Sequence, residues 1–510
     1  CSSDLVSVKS ATIVGLNVHE INVEVDTVNS IPQVAIVGLP DTAISEAKER
    51  LRLAIKNSGY SFPSVKVVIN LAPADLKKEG SGYDLALAVG ILYRDGIIND
   101  FNNKEIAFLG ELSLDGSLRA VNGVLPIVCA LDELGIKKII LPKENLEEAS
   151  FIDNIEALGA DNLSQVVEYL NNGSELKTLK QNAEDYIERD MDFPVDFAHV
   201  KGQAQAKKAL EIAASGAHNV LMSGSPGSGK TMLARAFMSI LPPLTKQEAI
   251  ELTKIYSISG LLDRSKPLIT QRPFRSPHHS ASSVGIIGGG SNPKPGEITL
   301  AHRGVLFLDE MVEFPRTTLE VLRQPLEDNV VTISRASISV KYPANFILIG
   351  AMNPCPCGFL GDNKKKCTCS EFQINRYRMR LSGPLLDRID IQLKVQRLED
   401  EELLNMENKD AETSSEIRKR VINARKIQLE RYKNDGILTN SELTPKLIKK
   451  YCKIDDSTKQ FLKQAINKFG LSARSYDRLL KISRTIADLE NKENIEVSHI
   501  AQALQLRSFS

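Results

Sequence analysis

Hydrophobic and polar side chains follow two different periods in the first third of the chain. In "INVEVDTV" (21–28) apolar and polar side chains alternate, which is typical of a half-buried strand. In "PDTAISEAKERLRLAIKNSG" (40–59) the apolar side chains recur about every 3.6 residues and the pattern stops at Gly59, which predicts a capped helix. The same patterns predict strands at 65–71, 105–112 and 137–142 and helices at 83–93, 124–134 and 163–170.

The pattern changes twice further along the chain. Strands and helices alternate again between about Asp196 and Val395, whereas the stretch after Gln396 contains amphipathic helices such as "SYDRLLKISRTIADLE". The polar stretch 171–195 lacks aliphatic periodicity and is predicted to be a linker. We therefore predict an α/β protein with an α+β domain at 5–170, a linker at 171–195, an α/β domain at 196–395 and a helical domain at 396–510.

Composition and charge narrow the class of protein. Of the 510 residues, 42% are hydrophobic and 25% charged, as in globular chains, and no apolar run approaches the roughly 18 residues of a membrane span. Without a secretory leader, the expected compartment is the cytoplasm, with no membrane partner. The opening "CSSDL" begins with Cys1 and fits no strand, so we expect a truncation or a read-through product there. Because 64 basic residues balance 64 acidic ones, any nucleic-acid binding must use local patches.

A glycine-rich turn between a strand and a helix carries the clearest chemistry. The apolar strand at 220–222 leads into Gly224, Ser225, Pro226, Gly227, Ser228, Gly229, Lys230 and Thr231. In such a P-loop the backbone N–H groups wrap a β-phosphate, the lysine reaches the β- and γ-phosphates, and the hydroxyl joins the Mg²⁺ shell. The sequence therefore predicts binding of ATP and Mg²⁺.

Two later strands end in side chains suited to the same chemistry. "VLFL" ends in Asp309 and Glu310, about 80 residues after the P-loop. Asp309 can hold a water of the Mg²⁺ shell, and Glu310 can polarise the attacking water. "FILIGAMNP" ends in Asn353, whose amide can orient that water, although an Asn-Pro turn former is the simpler alternative.

Arg388 lies between two aspartates in "RLSGPLLDRIDI". An arginine in that context is ordinarily a surface ion pair. The alternative is an arginine finger that completes a neighbouring subunit's site, where a bidentate guanidinium suits a γ-phosphate.

Four of the seven cysteines lie close together in "CPCGFLGDNKKKCTC". Two Cys-x-Cys pairs separated by nine residues, Cys355 with Cys357 and Cys367 with Cys369, could form a tetrahedral Zn²⁺ site. The alternative is four reduced thiols on a basic loop. The lysines of this loop, at 364–366, could contact DNA or simply be solvated.

The order and spacing of these motifs resemble the AAA+ ATPases. "FRSPHHSASSVGIIGGGSNPKPGEITLAHRGVLFLDE" is similar to the magnesium-chelatase clade, which is related to the MCM helicases. In that clade "GLSARSYDRLL" resembles the sensor-2 element, which implies a role for Arg474, with Arg478 as the alternative. The resemblance implies a ring of subunits that hydrolyses ATP.

The N-terminal region has its own resemblance. "LAPADLKKEGSGYDLALAVGIL" and "GIKKIILPKEN" are similar to the proteolytic domain of Lon. The resemblance implies a nucleophilic serine at position 82 and a partner lysine at position 125. Here those positions are Gly82 and Leu125, and Ser81 lies one position too early. An apolar side chain cannot act as the base for a serine, so Ser81 is interpreted as a turn or helix-cap residue.

A Lon-like domain followed by a chelatase-type AAA+ module is the arrangement of the ComM/YifB family. The resemblance extends from about Val6 to Leu506. It implies a homo-hexameric ATPase and, in the ComM branch, a DNA helicase that drives branch migration during natural transformation. A magnesium-chelatase subunit and a protein-remodelling ATPase are the alternatives.

Two insertions could line the pore of such a ring. "NVVTISRASISVKYPANF" predicts a β-hairpin with Arg335 near its tip and Lys341 on the return strand, and "GGGSNPKPGEI" predicts a flexible loop with Lys294. In the MCM-related clade such hairpins face the channel, where these side chains would meet phosphates. A solvated hairpin and loop are the alternative. Upstream, His278 and His279 are interpreted as interface or hairpin packing because adjacent side chains seldom converge on a metal.

The missing lysine makes the Ser81 interpretation testable. Ser81→Ala should leave ATP turnover unchanged, and the wild-type chain should not degrade casein in the presence of ATP, since Leu125 occupies the position of the partner lysine and cannot act as a base. Both activities can be measured on purified protein. Covalent labelling of Ser81 by a serine-directed probe would contradict this interpretation.

Overall fold

The computed structural model describes residues 6–40, 42–74, 76, 78, 80–99, 101–189, 193–263, 265–290, 293–334, 339–397, 411–470 and 472–507. The chain divides into two compact units. The first comprises Cys1–Arg189 together with Thr245–Thr270, and the second comprises Asp190–Leu244 together with Gln271–Ser510.

The strands are β1 Val6–Val14, β2 Asn17–Val28, β3 Val34–Val37, β4 Lys66–Ala72, β5 Ile106–Phe108, β6 Glu111–Leu112, β7 Leu118–Arg119, β8 Lys138–Pro142, β9 Glu156–Ala160, β10 Lys177–Thr178, β11 Val220–Ser223, β12 Phe274–Arg275, β13 Gly288–Gly289, β14 Lys294–Pro295, β15 Val305–Leu308, β16 Val330–Ser334, β17 Ser339–Pro343, β18 Ile347–Met352 and β19 Ile391–Lys394.

The helices are α1 Thr42–Asn57, α2 Asp84–Arg94, α3 Val124–Glu133, α4 Leu146–Ala149, α5 Leu163–Asn172, α6 Ala183–Arg189, α7 Ala204–Gly216, α8 Lys230–Phe237, α9 Lys246–Ile258, α10 Ser283–Ile287, α11 Glu297–Leu300, α12 Arg316–Glu320, α13 Pro325–Asp328, α14 Glu371–Arg378, α15 Gly383–Leu386, α16 Ser414–Arg431, α17 Pro445–Tyr451, α18 Asp456–Phe469, α19 Ala473–Leu489 and α20 Val497–Gln505. Short 3-10 turns lie at Lys143–Asn145, Phe197–His199, Met238–Ile240, Met311–Glu313 and Asn440–Glu442.

A mixed sheet of eight strands, in the order β10-β9-β8-β5-β1-β2-β4-β3, forms the first unit. The alternation in "INVEVDTV" corresponds to β2, in which Ile21, Val23 and Val25 are fully buried. Helix α2 is almost entirely apolar and is buried from Asp84 to Leu92. Its one buried charge, Asp84, pairs with Arg50 of α1 at 2.7 Å. Burial raises the pKa of Asp84, and the ion pair opposes that rise.

The single strand predicted at 105–112 is wrong, because the chain bends at Gly110 into two strands. β5 belongs to the large sheet, whereas β6 forms a separate ribbon with β7. At the bend, Gly110 N donates to Gly82 O at 2.9 Å, and Gly110 O accepts from Leu85 N at 3.0 Å. The backbone of this glycine therefore pairs with the start of α2 instead of continuing the ladder.

Two segments differ from the organisation expected from the sequence. The stretch 171–195, expected to be a linker, contains β10, which pairs with β9, and helix α6. The segment Thr245–Thr270 falls within the expected domain at 196–395, yet it belongs to the first unit. Helix α9 begins there with a capping box and packs on α3, where Gly123 N donates to Ser257 Oγ at 3.0 Å. This polar contact was not readable from apolar periodicity.

The second unit contains a five-stranded sheet in the order β12-β15-β18-β11-β19, with neighbouring strands parallel. Helices α16 and α19 pack against α7, and one hydrophobic core runs from Phe197 to Leu506. The mixed α/β class and the helical C-terminal region are confirmed. The sheet and the C-terminal helices share a single core in this unit.

A buried polar network ties the start of β19 to the C-terminal helices. His218 contacts Asp390 at 3.3 Å through Nδ1 and Thr485 at 2.7 Å through Nε2. Asn440 donates to Thr485 and to Asp488, each at 2.9 Å. Burial alone would raise the pKa of Asp390, but the His218 contact and nearby cations hold it at about 2. These bonds determine where α19 lies against the sheet.

Candidate functional site

Three of the predicted motifs meet at the carboxyl edge of the five-stranded sheet. The register pairs Ser223 of β11 with Met352 of β18, and Leu308 of β15 with Gly350 of β18. The P-loop follows β11, the acidic pair follows β15, and Asn353 follows β18. Because parallel strands end on the same side of a sheet, all three motifs emerge together, as in other open α/β sheets that bind ligands at this edge.

The P-loop turns tightly around the Lys230 side chain. Gly227 and Gly229 have φ values of 77° and 90°, a region that side chains with a Cβ rarely adopt. The Lys230 ammonium donates to Gly224 O at 2.7 Å and to Ser225 O at 3.0 Å. Burial lowers the pKa of Lys230, and the carboxylates that follow β15 partly oppose this. The lysine charge is therefore held inside the loop.

The hydroxyls of the loop have different surroundings. Thr231 Oγ1 donates to Asp309 Oδ2 at 2.9 Å, which joins the first turn of α8 to the end of β15. The Ser228 hydroxyl is buried and has no hydrogen-bond partner among the described parts of the chain. Gln203, which the sequence analysis did not identify, donates to Ser228 O at 3.4 Å and to Gln396 O at 2.6 Å.

Glu310 lies at a sharp turn directly after β15. Its φ is 48°, a left-handed conformation that is uncommon for a residue with a side chain. Its backbone N–H donates to Asp309 Oδ1 at 2.9 Å, so the Asp309 carboxylate stabilises the turn that carries Glu310. The Glu310 side chain is 60% exposed and points away from the core.

His279 is a neighbour of Glu310 that the sequence analysis did not assign to this site. Its Nδ1 lies 3.8 Å from Glu310 Oε2, and its ring centroid lies 4.0 Å from that of His278, with the two rings tilted by 35°. The signal was available in the strand pattern: β12 is parallel to β15, so residues after Arg275 emerge at the same edge. The interpretation of His279 as hairpin or interface packing omitted this contact.

Asn353 lies where the central strand meets the cysteine-rich loop. A methyl group added at Gly358 would lie 3.9 Å from the Asn353 side chain and 2.8 Å from Pro226 of the P-loop. Tyr377 of α14 lies against the Asn353 backbone, and burial raises the pKa of this tyrosine to about 12. Asn353 is half-buried and lies beside Gly358, which itself approaches Pro226 of the P-loop.

The four cysteines Cys355, Cys357, Cys367 and Cys369 converge, with all four sulfurs within 4.8 Å of one another. None forms a disulfide. Asp362, on the loop between the pairs, accepts from the backbone N–H groups of Lys364 and Lys365 at 2.9 Å. The Ser225 hydroxyl beside Asp362 and those N–H groups lower its pKa to about 2.

Arg388 lies three residues before β19, at the amino-terminal ends of the strands, whereas the P-loop lies at their carboxyl ends. Its guanidinium donates to Arg323 O at 3.1 Å and to Pro384 O at 2.7 Å, and it pairs with Glu327. The four residues of β11 span roughly 13 Å between this edge and the P-loop. Within one chain, Arg388 is therefore not brought to Lys230.

Arg474 lies at the same edge as Arg388. It reaches Asp387 at 3.7 Å and is 67% exposed, whereas Arg478 is nearly buried at 3.5 Å from Asp390. We call the surrounding cavity of about 620 Å³ the arginine cleft; its lining includes the cations Arg388, Arg474, Arg478 and Lys481. Arg474 is the more accessible of the two candidate sensor residues, and neither lies beside the P-loop.

The two predicted pore insertions both form antiparallel ribbons. In one, β16 pairs with β17, and Thr332 lies opposite Lys341, as expected for a hairpin. The other was predicted to be a flexible loop, but β13 and β14 form a short ladder that includes Lys294. Tyr342 donates to Pro293 O at 2.6 Å and joins the two ribbons. Lys294 and Lys341 are exposed, whereas Arg335 lies outside the described residues.

The turn that resembles Lon has different chemistry in this chain. Ser81 donates to the Glu111 carboxylate. Leu125 is fully buried in α3, and its backbone N–H donates to Glu148 at 3.0 Å. The position expected for a catalytic lysine is therefore part of the hydrophobic core. No helix among the described residues has the length and apolar character needed to cross a membrane.

Family models match three successive parts of the chain. The model described as "Magnesium chelatase, subunit ChlI" matches residues 196–403. "Subunit ChlI of Mg-chelatase" matches residues 23–145, and "Magnesium chelatase, subunit ChlI C-terminal" matches residues 411–507. The P-loop, the acidic pair, Asn353, the cysteines and Arg388 all lie in the first match.

Comparison with individual proteins shows which members of this family the chain resembles over its whole length. Competence protein ComM from Haemophilus influenzae is 41% identical over 99% of this chain and 97% of its own length. Uncharacterized protein YifB from Escherichia coli is 40% identical over 98% of this chain and 96% of its own length. The magnesium-chelatase 38 kDa subunit of Cereibacter sphaeroides is 24% identical over only 32% of this chain. The chain therefore belongs to the ComM/YifB family of magnesium-chelatase-like AAA+ ATPases.

Proposed function

We propose that this protein is an ATP-hydrolysing ring motor that acts on DNA, as a helicase that drives branch migration of recombination intermediates. The observation that carries the ATPase part is the hydrogen bond between Thr231 and Asp309, which joins the P-loop to the acidic strand end. The family implies ATP and Mg²⁺ as cofactors. DNA as substrate is supported by the exposed lysines of the two ribbons and by the competence protein among the relatives.

The residues at the carboxyl edge fit a magnesium nucleotide. The buried Ser228 hydroxyl has no partner in the described chain, a Cβ at Gly227 or Gly229 would meet open space, and Lys230 carries its charge within the loop. Thr231 and Asp309 would hold Mg²⁺, which neutralises phosphate charge when bound. Lys230 would turn from the loop carbonyls to phosphate oxygens, which are stronger acceptors for an ammonium group.

Glu310 is the proposed general base. Its carboxylate is exposed at the strand end, where it can polarise a water molecule, and Asn353 on the adjacent strand can orient that water. His279 at 3.8 Å is close enough to bias the orientation of the Glu310 side chain. Asp309 bonds to Thr231, whereas the Glu310 carboxylate is exposed beside His279, so the proposed metal ligand and the proposed base have different neighbours.

Hydrolysis requires a second subunit in this proposal. The arginine cleft holds Arg388 and Arg474 at the sheet edge opposite the P-loop, so one chain cannot supply both halves of a site. In a closed homo-hexamer, the cleft of one subunit would face the P-loop of the next. Arg388 would then stabilise charge on the phosphates across the interface, with Arg474 beside it.

The alternatives account for fewer of the observations. The magnesium-chelatase subunits of Heliobacterium mobile and Cereibacter sphaeroides each align with 32% of the chain, whereas the competence protein aligns with 99% of it. A protein-remodelling motor would need a channel loop with an aromatic side chain, whereas the exposed side chains noted on the two ribbons are lysines.

We propose that the first unit is a Lon-like domain without peptidase activity, that the protein acts in the cytoplasm, and that the four cysteines hold Zn²⁺.

Two variants test the proposed roles of Lys230 and Glu310 in ATP binding and hydrolysis. Lys230→Ala should abolish ATP binding because it removes the cation within the loop, whereas Glu310→Gln should bind ATP and hydrolyse it at least roughly a hundredfold more slowly. Binding can be measured by fluorescence with a labelled nucleotide and turnover by phosphate release. Glu133→Gln, on the exposed end of α3, is the matched control. Wild-type turnover by Glu310→Gln would rule out its role as base.

A mixing experiment tests the interface. Arg388→Ala should bind ATP but hydrolyse it roughly a thousandfold more slowly, because an arginine finger is worth about that factor. Mixed with Lys230→Ala, it should regain part of the activity, since each variant keeps the half of the interface that the other lacks. Arg52→Ala, on the exposed face of α1, should behave like wild type. No recovery despite demonstrated subunit exchange would show that Arg388 does not act in trans.

DNA binding is tested through the ribbons. The double variant Lys294→Ala/Lys341→Ala should bind a branched DNA junction several-fold more weakly. The slope of log Kd against log salt concentration should become shallower by about two, because each lost lysine–phosphate contact lowers it by about one. Fluorescence anisotropy over a series of salt concentrations measures both. The double variant Lys463→Ala/Lys468→Ala on α18 removes the same charge elsewhere. If wild-type protein neither binds the junction nor increases its ATP turnover with it, a chelatase or remodelling function becomes the better explanation.

A further inference from the structure

The four cysteine sulfurs are spaced like the corners of one small tetrahedron. Cys355 and Cys357 Sγ are 3.4 Å apart, and Cys367 Sγ lies 3.6 Å from each of them. Cys369 completes the group, with all four sulfurs within 4.8 Å. Zn–S bonds of about 2.3 Å in a tetrahedron separate the sulfurs by about 3.8 Å. The observed spacing therefore leaves room for a single metal ion.

The backbone and the charges around the sulfurs also suit a metal thiolate. The Cys357 N–H donates to Cys369 Sγ and the Cys369 N–H to Cys367 Sγ, each at 3.4 Å, and such bonds stabilise negative sulfur. Four thiolates around one divalent ion carry a net negative charge, and the same loop supplies three lysines, Lys364, Lys365 and Lys366. Cys355 is fully buried, so an uncompensated thiolate there would be unfavourable.

The loop closed by this site rests directly on the P-loop. Gly358 adopts a φ of 85°, and a methyl group added there would lie 2.8 Å from Pro226. The first cysteine pair begins two residues after Asn353, and the second ends one residue before the N-cap of α14. Tyr377 of that helix lies against the Asn353 backbone. One cluster thus connects the phosphate-binding turn with the strand end that carries Asn353.

We propose that Cys355, Cys357, Cys367 and Cys369 bind one Zn²⁺ ion, and that this ion braces the 358–366 loop against the P-loop so that nucleotide affinity depends on zinc occupancy. The coupling rests on the proposed nucleotide site, whereas the metal site does not. Zinc-binding free energy serves to fold the segment that carries its ligands. Without the ion, Gly358 would lose its fixed position against Pro226, and the P-loop would have to be ordered by the nucleotide itself.

Linkage makes the coupling reciprocal. If zinc strengthens nucleotide binding by some factor, bound nucleotide must strengthen zinc binding by the same factor. A nucleotide should therefore slow the loss of zinc to a chelator, although it does not touch the cysteines. This readout does not depend on ATP hydrolysis.

The metal site is tested first, on the full chain purified without chelators. Elemental analysis should find one zinc per chain in wild type and in the control Cys129→Ala, which removes a thiol outside the cluster, and much less in Cys357→Ser and Cys367→Ser. A chain without zinc, or one containing iron in its place, would overturn the assignment. Removing zinc from wild-type protein with a chelator gives a second route if the serine variants do not fold.

The coupling is tested by ADP binding to zinc-loaded and zinc-stripped wild-type protein. Stripping should weaken ADP binding about tenfold, re-addition of Zn²⁺ should restore it, and saturating ADP should slow zinc release by a similar factor. Gly358→Ala should bind ADP more weakly, because the new methyl group presses on Pro226 and a φ of 85° is strained for a residue with a Cβ. Its zinc content, measured in parallel, should remain one ion per chain. Unchanged ADP affinity after stripping would overturn the coupling. Failure of zinc-loaded protein to bind ADP at all would instead refute the nucleotide site and leave the zinc measurement standing.

Discussion

The parallel pairing of β11 with β18 and β19 is the constraint on which the rest of the second unit depends. Ser223 lies opposite both Met352 and Lys394, so these three neighbouring strands end level with one another at their carboxyl ends. The carboxyl ends of β11 and β18 then bring the P-loop beside Asn353, and β15, paired to β18, adds the acidic residues. A shift of one residue in β11 would turn its buried side chains toward the other face and move the P-loop by about 3.3 Å.

The same strand pairing places the P-loop and Arg388 at opposite ends of the strands. The P-loop lies at the carboxyl ends of the strands and the arginine cleft at their amino ends, and a side chain is too short to span the roughly 13 Å between them. Arg388 is also anchored within its own chain by Glu327 and two carbonyl oxygens. Its guanidinium is thus fixed by contacts within its own chain, which would lower the entropy cost of the interface contact proposed for it.

The features that could be predicted from the sequence are those that depend on local hydrophobic periodicity and on glycines or turn residues. The P-loop glycines, the apolar strands before Asp309 and Asn353, the hairpin with Lys341 and the mixed α/β class were all readable in this way. The bend at Gly110 was not, because it depends on a hydrogen bond to Gly82. The contact of His279 with Glu310 and that of Gly358 with Pro226 join segments distant in sequence, so they required the sheet order. The attachment of α9 to α3 through Ser257 likewise depends on tertiary packing.

The placement of Thr245–Thr270 in the first unit has a mechanical consequence. The chain passes between the units after Arg189, after Leu244 and after Thr270, so three peptide connections join them. Leu244 follows the P-loop helix α8 by seven residues, and Gln271 precedes β12 by three. A rotation of α8 or a shift of β12 during an ATP cycle would therefore pull on α9 through covalent links. The first unit is thereby linked covalently to the segments that follow the P-loop helix and precede β12.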